Sequence, residues 1–333
     1  MVTGVVVVTY NASDVVIGCL ESLLANQGVD LRIVVVDNAS SDMTIKTIHD
    51  WASGGGLWSD KDAPFKPVPH GSMALVNGAP QAGERAIGLI SSAENRGFAG
   101  GVNLGLQALL TLPEIDNFWI LNPDCMAGSE TALKLENCAR QAGSFGVIGG
   151  RVYYSSPPQM IQSDGGRVNL WTGNCIPFNL ARIGRDVPAP ENAMLDYIAG
   201  SHMLVSRTFL TQVGLMPEDY FLFYEEVDWC LRRGDLPLLL CIDAEVYHDG
   251  GHSIGSATMS RGPSPTASYF MGRSRMKFVM RHRPIALPIA FAFNTVKACR
   301  YFLRGQYAAG VALLRGTIGM GPSAAVRKHI GRQ

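Results

Sequence analysis

The sequence predicts an α/β protein with a mainly parallel sheet, helices on both of its faces, and a basic helical region at the C-terminal end. Three observations carry this prediction. Short apolar, β-branched runs alternate with stretches of helical spacing through the first 125 residues. Strand, loop and helix in repetition imply right-handed parallel crossovers. Of the 333 residues, 47% are apolar and 17% charged, which supplies a large core and excludes global disorder. The polar loops TYNASD, DNASSD, ENRGFAGG and NPD all follow strands, and open parallel sheets hold ligands beyond the carboxyl ends of their strands.

The elements follow in order. Residues 5–9 form a first strand, and residues 15–25 (VVIGCLESLLA) a helix. Residues 31–37 (LRIVVVD) form a second buried strand and residues 43–51 a second helix. Residues 52–85 are rich in Gly, Pro and charge and interrupt the rhythm; we read them as a tolerated surface insertion, long for a compact domain. IGLISS (87–92) is the third strand, GGVNLGLQALL opens a helix, and NFWILN is the fourth strand. It ends at Asn122-Pro123-Asp124, because proline cannot donate to a central ladder. Beyond Gly150, RVYYSS and GGRVNLW read as short, partly antiparallel strands. DYIAGSHMLVSRTFLTQVG reads as a strand ending at Gly200-Ser201, an apolar strand and a helix. A helix starts near Tyr224, and PLLLCIDAEVYHDGGHS is a strand pair leading into a His/Gly/Asp loop.

The net charge is zero, but residues 261–333 hold 13 Lys/Arg and no acid, leaving 15 basic against 28 acidic groups in the first 260. A basic tail on an acidic body points to an anionic surface or ligand near the tail. Seven scattered cysteines with no C-x-x-C pair exclude a disulfide framework or zinc ribbon and fit a reducing cytoplasm. The N-terminus lacks a basic leader and cleavage site. No run reaches the roughly 18 apolar residues of a spanning helix.

Four groups of residues carry chemistry. Asp37, at a strand end, can accept hydrogen bonds from a ribose or a base, or cap the next helix. The Gly-rich stretch from Asn95 to Gly105 opens a helix whose N-terminus attracts phosphate, although it is neither a Walker loop nor a dinucleotide fingerprint. Asp124 offers hard oxygen to a divalent cation that would bridge to a diphosphate, and His248 could add a nitrogen ligand. Finally, FYEEVDWCLRR packs Glu225, Glu226 and Asp228 into four positions. Such crowding requires a raised pKa or a cationic partner for at least one of them. Arg232 and Arg233 could make this an ordinary ion-pair face. The apolar DYFLF before it instead places the acids at a rim between core and cleft, where a general base is useful.

With these residues assembled, the chain resembles the inverting family-2 glycosyltransferases of GT-A fold, especially the bacterial rhamnosyltransferase-like branch. The matching pieces are VVVTYN, VVVDNASSD, ENRGFAGGVNLGL, WILNPDC, GSHMLVSR, FLFYEEVDWCLR, VYHDGGHS and YFMGRSRMKFVMRH, in order over residues 5–282. The resemblance implies a nucleotide-diphosphate sugar donor (a dTDP- or UDP-sugar), an acceptor hydroxyl on a glycan or polyprenyl-linked sugar, and Mg2+ or Mn2+. It places Thr9, Tyr10, Asn11, Asp37 and Asn38 around the nucleoside, and Asn95, Arg96, Gly97 and Asn103 in the loop flanking the nucleotide. Asn122 and Asp124 stand where the family has D-x-D, and His248 matches its metal-ligand histidine. Gly200 and Ser201 match the acceptor-side strand end. Glu226 matches the catalytic base, with Glu225 the alternative.

The implied organisation is a catalytic domain of residues 1–260, with a nucleotide-binding half (1–125) and an acceptor-binding half (126–260), followed by the basic region 261–333. We read that region as an amphipathic surface on an anionic leaflet, against a helical cap or a homodimer interface. The protein would then act in the cytoplasm, peripheral to the inner face of the plasma membrane, with no nucleic-acid partner. Two other readings compete with this one. A sugar nucleotidyltransferase usually carries a Gly-rich basic loop after its first strand, which TYNASD is not. A catalytically silent nucleotide-sugar-binding module has no use for the EEVD cluster.

Overall fold

A computed structural model describes residues 1–54, 60, 62–250 and 262–331. Its first half alternates β1 (Val2–Thr9), α1 (Val16–Leu24), β2 (Asp30–Asp37), α2 (Thr44–Ala52), β3 (Ala74–Val76), β4 (Ala86–Ser91), α3 (Gly97–Leu110) and β5 (Asn117–Leu121). Next come β6 (Cys125–Ala127), α4 (Thr131–Ala142), β7 (Val147–Tyr154), β8 (Ile161–Ser163), β9 (Gly166–Asn169) and β10 (Asn174–Pro177). The chain continues with β11 (His202–Ser206), α5 (Arg207–Val213), α6 (Glu225–Leu231) and β12 (Leu238–His248). It closes with α7 (Pro265–His282), α8 (Leu287–Leu303), α9 (Tyr307–Thr317) and α10 (Ala324–His329).

The main sheet has the order β3-β4-β2-β1-β5-β11-β7-β12-β6, with β8 on β7; β9 and β10 form a separate hairpin. The strands from β3 to β5 are parallel. β11 then enters antiparallel between β5 and β7. Side chains alternate faces along a strand, and the valines of β1 divide accordingly. Val6 and Val8 pack with Val102 and Leu106 of α3 on one face. Val5 and Val7 pack with Val16 and Leu20 of α1 on the other. Both layers are dry, which is why these strands read as continuous apolar runs. On α3, a Cβ at Gly101 or Gly105 would sit 2.4 or 2.5 Å from a β1 valine methyl, so those glycines let the helix lie close against the sheet.

Three elements differ from expectation. The 52–85 insertion contains β3, which extends the sheet edge beside β4; three residues are too few to show a period. No strand ends at Gly200: Tyr197 makes only an isolated bridge to Gly166, and His202 N–H closes a turn onto Ala199 C=O. The supposed strand pair is the single strand β12, whose register on β7 shifts between Cys241 and Val246; the bulge, not a turn, accommodates the polar residues. The division at 125/126 falls inside β6. The division at 260/261 and the Gly251-His252-Ser253 end of VYHDGGHS lie outside the described residues.

The C-terminal helices pack on the rest of the molecule chiefly through α7. Tyr269, Phe270, Phe278 and Arg275 of that helix are all buried, so it acts as a cap over residues 220–228. Among the described residues, no helix is long and apolar enough to cross a membrane.

Candidate active site

A cleft of about 530 Å³ opens at the carboxyl ends of β1, β2 and β5. At one end it is lined by Tyr10, Asn38, Asn95 and Gly97, at its centre by Asn122, Asp124, Gln162 and His248, and along its far wall by Gly200, Ser201, Glu225 and Glu226. Asp124 and Glu226, 102 positions apart in the chain, thus face one cavity.

At the first end, the parallel strands deliver their loops side by side, and buried amides and carboxylates knit them together. Asn38 Nδ2 donates to Asn95 Oδ1 (3.1 Å) and to Gly97 C=O (2.9 Å), and its Oδ1 accepts from Arg96 N–H (3.0 Å). Asp37 accepts from the Thr9 hydroxyl (3.1 Å) and from Ser40 N–H (3.0 Å), and only 1% of it is exposed. Asn11 Oδ1 accepts from Ser41 N–H at 2.8 Å. Thr9, Asn11 and Asp37 therefore frame the cleft from beneath rather than line it.

Two more expectations need correction here. Arg96 turns outward to Glu218 (2.9 Å). Asn103 lies inside α3 and clasps the 216–218 segment, its Nδ2 donating to Met216 C=O (2.8 Å) and Glu218 Oε1 (2.9 Å). A buried amide must satisfy its hydrogen bonds, and Asn103 does so away from the cleft. The α3 N-terminus is also no open phosphate seat. Gly97 N–H goes to Asn95 Oδ1 (3.0 Å) and Phe98 N–H to Phe221 C=O (3.0 Å). Gly97 has φ +77°, and a Cβ there would lie 2.2 Å from the Phe221 carbonyl oxygen. The glycine thus serves the junction between this loop and the acidic one.

At the centre, His248 Nε2 lies 3.1 Å from Asp124 Oδ1 and 3.3 Å from Asn122 Nδ2. Its other nitrogen, Nδ1, is 2.6 Å from Gln162 Oε1. A ligand histidine is commonly oriented by such an acceptor on its far side; Nδ1–H to Gln162 leaves Nε2 aimed at Asp124. Burial disfavours a charged ring, but the Asp124 carboxylate prevails and raises the His248 pKa. Cys125 Sγ belongs to the same cluster, in which the three potential ligand atoms lie within 4.8 Å of one another. Burial, reinforced by the Asp124 charge, pushes the Cys125 thiol well up, and Sγ donates to Ser201 C=O (3.5 Å). A protonated thiol is a poor ligand. One carboxylate oxygen and one imidazole nitrogen at the centre of the cleft fit a divalent cation, which Asp124 and His248 would hold with water or phosphate oxygen completing its shell.

The acidic wall rests on an unusual backbone. Phe221, Phe223 and Tyr224 have φ of 69°, 65° and 74°, a left-handed conformation that costs bulky residues of order 1–3 kcal/mol each. Helix α7 holds them there. Ser274 Oγ donates to Leu222 C=O (2.7 Å), Arg275 Nε to the Tyr224 hydroxyl (2.8 Å), and Phe270 stacks on Phe221 at 4.7 Å. Helix α6 starts directly afterwards and aims Glu225 and Glu226 into the cleft. Gly200 lies alongside, where a Cβ would be 3.5 Å from the Glu226 Cβ. Burial raises the Glu226 pKa to about 7. Glu225 is raised well above its ordinary value by burial and then by the neighbouring Glu226 charge. Among the described residues, its Oε2 is buried without a hydrogen-bond partner.

Asp228 does not join them. It is fully buried beneath α7, where Arg281 donates to Oδ2, His282 Nε2 lies 2.8 Å from Oδ1 and Arg232 Nε 3.4 Å from it. Burial alone would raise its pKa, but the His282 hydrogen bond and the Arg232 and Arg281 charges lower it. The crowding of three acids is thus resolved in two ways, by raised pKa values for two and cationic partners for the third.

Comparison with known proteins accords with this geometry. The family model for Glycosyl transferase family 2 matches residues 4–71. The low-salt glycan biosynthesis hexosyltransferase Agl10 of Haloferax volcanii is 26% identical over 225 residues, 66% of this chain and 67% of that protein. Residues 4–71 thus carry the signature of family-2 glycosyltransferases. The N-acetylglucosaminyl-diphospho-decaprenol L-rhamnosyltransferase of Mycobacterium tuberculosis is 27% identical over 200 residues, 54% of this chain and 65% of the relative, just under two thirds. The mannosyltransferase PcManGT from Pyrobaculum calidifontis, solved in complex with GDP-Man and Mn2+, shares the fold at a TM-score of 0.50 and 15% identity, over 98% of this chain and 77% of that one.

Several residues that line the cleft fall outside the sequence motifs: Gln162, Tyr154, Tyr197, Leu180, His329 and Ile330. Only Gln162 left a faint signal. In the three-residue β8, Ile161 and Ser163 are buried while Gln162 alternates to the cleft side.

Proposed function

We propose that this protein moves a sugar from a nucleotide-diphosphate donor to an acceptor hydroxyl with inversion at the anomeric carbon. The observation that carries the proposal is the placement of the Asp124–His248 pair and the Glu225–Glu226 pair on one cleft. Glu226 is the base: as a carboxylate it takes the proton of the acceptor hydroxyl while that oxygen bonds to the anomeric carbon. The bond from that carbon to the diphosphate breaks with its electrons, and the nucleoside diphosphate leaves. Attack opposite the leaving group gives inversion. Asp124 and His248 would hold Mg2+ or Mn2+, whose charge favours the departing diphosphate. Tyr10, Asn38 and Asn95 bind the nucleoside end. Gly200 leaves the acceptor room beside Glu226.

The tuberculosis relative, named for rhamnosyl transfer to a decaprenol-linked sugar, supports rhamnose as the sugar and a polyprenyl-linked acceptor. The working location is the inner face of the plasma membrane, reached through the basic region after residue 260. The exposed residues Ile289, Val296 and Leu303 of α8 recur every seven positions and so share one face, on a helix with no acid.

Incubation with dTDP-rhamnose, UDP-glucose or UDP-N-acetylglucosamine, with Mn2+ or Mg2+, separates the readings. We expect nucleoside diphosphate release from one donor, stimulated by a glycan acceptor and abolished by EDTA. Release of pyrophosphate in the presence of a sugar phosphate and nucleoside triphosphate would instead identify a nucleotidyltransferase.

A further inference from the structure

The C-terminal strap, residues 323–331, reaches the donor end of the cleft. The Tyr10 hydroxyl donates to the His329 carbonyl oxygen at 2.8 Å, and a Cβ on Gly331 would lie 3.2 Å from that hydroxyl. Ile330, 4% exposed, packs with Leu222, Phe270 and Val326, and Phe221 and Phe223 of the acidic loop lie against the same cluster. His329 and Ile330 both line the cleft. One strap of nine residues thus touches the aromatic ring at the nucleoside end and the loop that presents the base.

We propose that this strap forms the outer wall of the nucleoside pocket. Ile330 offers apolar surface to the base or ribose, and the His329 carbonyl sets the orientation of the Tyr10 ring. The inference rests on the nucleotide-sugar reading above and adds a positioning role for residues that neither the sequence motifs nor the family match covers. The chemistry recognised is the nucleoside, not the diphosphate, which belongs at Asp124 and His248 on the other side.

Titration calorimetry on the full chain tests this with three probes: UDP, dTDP, and inorganic pyrophosphate, each with Mn2+. Ile330→Asp should weaken the nucleoside diphosphates by about tenfold or more, equivalent to about 1.4 kcal/mol, and leave pyrophosphate unchanged. Tyr10→Phe, which removes only one hydroxyl and keeps the fold, should weaken them by roughly two- to fivefold, the scale of one net hydrogen bond. Wild-type affinity for UDP and dTDP in either folded variant overturns the proposal, and so does equal weakening of pyrophosphate, which would mark a general loss of structure. A wild-type protein that binds pyrophosphate but neither nucleotide overturns the nucleotide-donor reading itself.

Discussion

As the proposed base, Glu226 must do two incompatible things: lie dry enough to hold a proton near neutrality, and be ionised enough to take one. Its pKa of about 7, set by burial, meets both demands. Under that proposal the carboxylate is the active form, so kcat/KM should rise about tenfold per pH unit below that value and level off above it. A pH–rate profile between pH 5.5 and 8.5 checks this; a flat profile removes Glu226 from the base role. The same shift works against stability. The folded pKa lies above the ordinary 4.5, so the contribution of the protonated group is fully present below 4.5 and is lost as pH rises through about 7. The active ionisation state is therefore the less stable one. At this scale the sequence was partly legible. Asp124, His248 and the glutamates stood out because their chemistry is local to a short motif. Asn103 and Asp228 misled, because a polar residue on a helix gives no sign of which neighbour the tertiary fold will supply.

The segment from Phe221 to Leu231 is held by partners far off in the chain. Asp228 anchors α6 to Arg281 and His282 of α7, while Tyr224 and Leu222 are fixed by the same helix. Replacing Asp228 with Asn strips a buried charge from two arginines and a histidine. We expect a loss of about 1.5–3 kcal/mol in chemical denaturation, the scale of hydrogen bonds to a charged group, and a fall in kcat with little change in nucleotide affinity. Unchanged stability would show that the anchor is dispensable. The strands and first helices were legible as elements, because apolar runs and helical spacing are written in neighbouring residues. The edge strand β3 and the bulged β12 were not: the first is too short for a period, and the second depends on its register against β7. The left-handed backbone at Phe221, Phe223 and Tyr224 was equally hidden, since none of these residues favours it.

At the scale of the whole molecule, the basic tail joins two roles that charge alone could not separate. Its first helix caps the acidic loop and its last strap reaches the cleft, whereas α8 turns apolar residues outward. If α8 meets an anionic leaflet, the wild type should sediment with phosphatidylglycerol vesicles at low salt, and Ile289→Asp with Leu303→Asp should abolish this while leaving donor hydrolysis intact. Equal sedimentation of both proteins would reject α8 as the contact. The central claim is the convergence of a cation pair and a proton-accepting glutamate on one cavity. Its most direct test is turnover by Glu226→Gln with the cognate donor, acceptor and Mn2+, with nucleotide affinity measured on the same preparation. The account predicts wild-type affinity and transfer slowed by at least about a hundredfold; transfer at near the wild-type rate would contradict it.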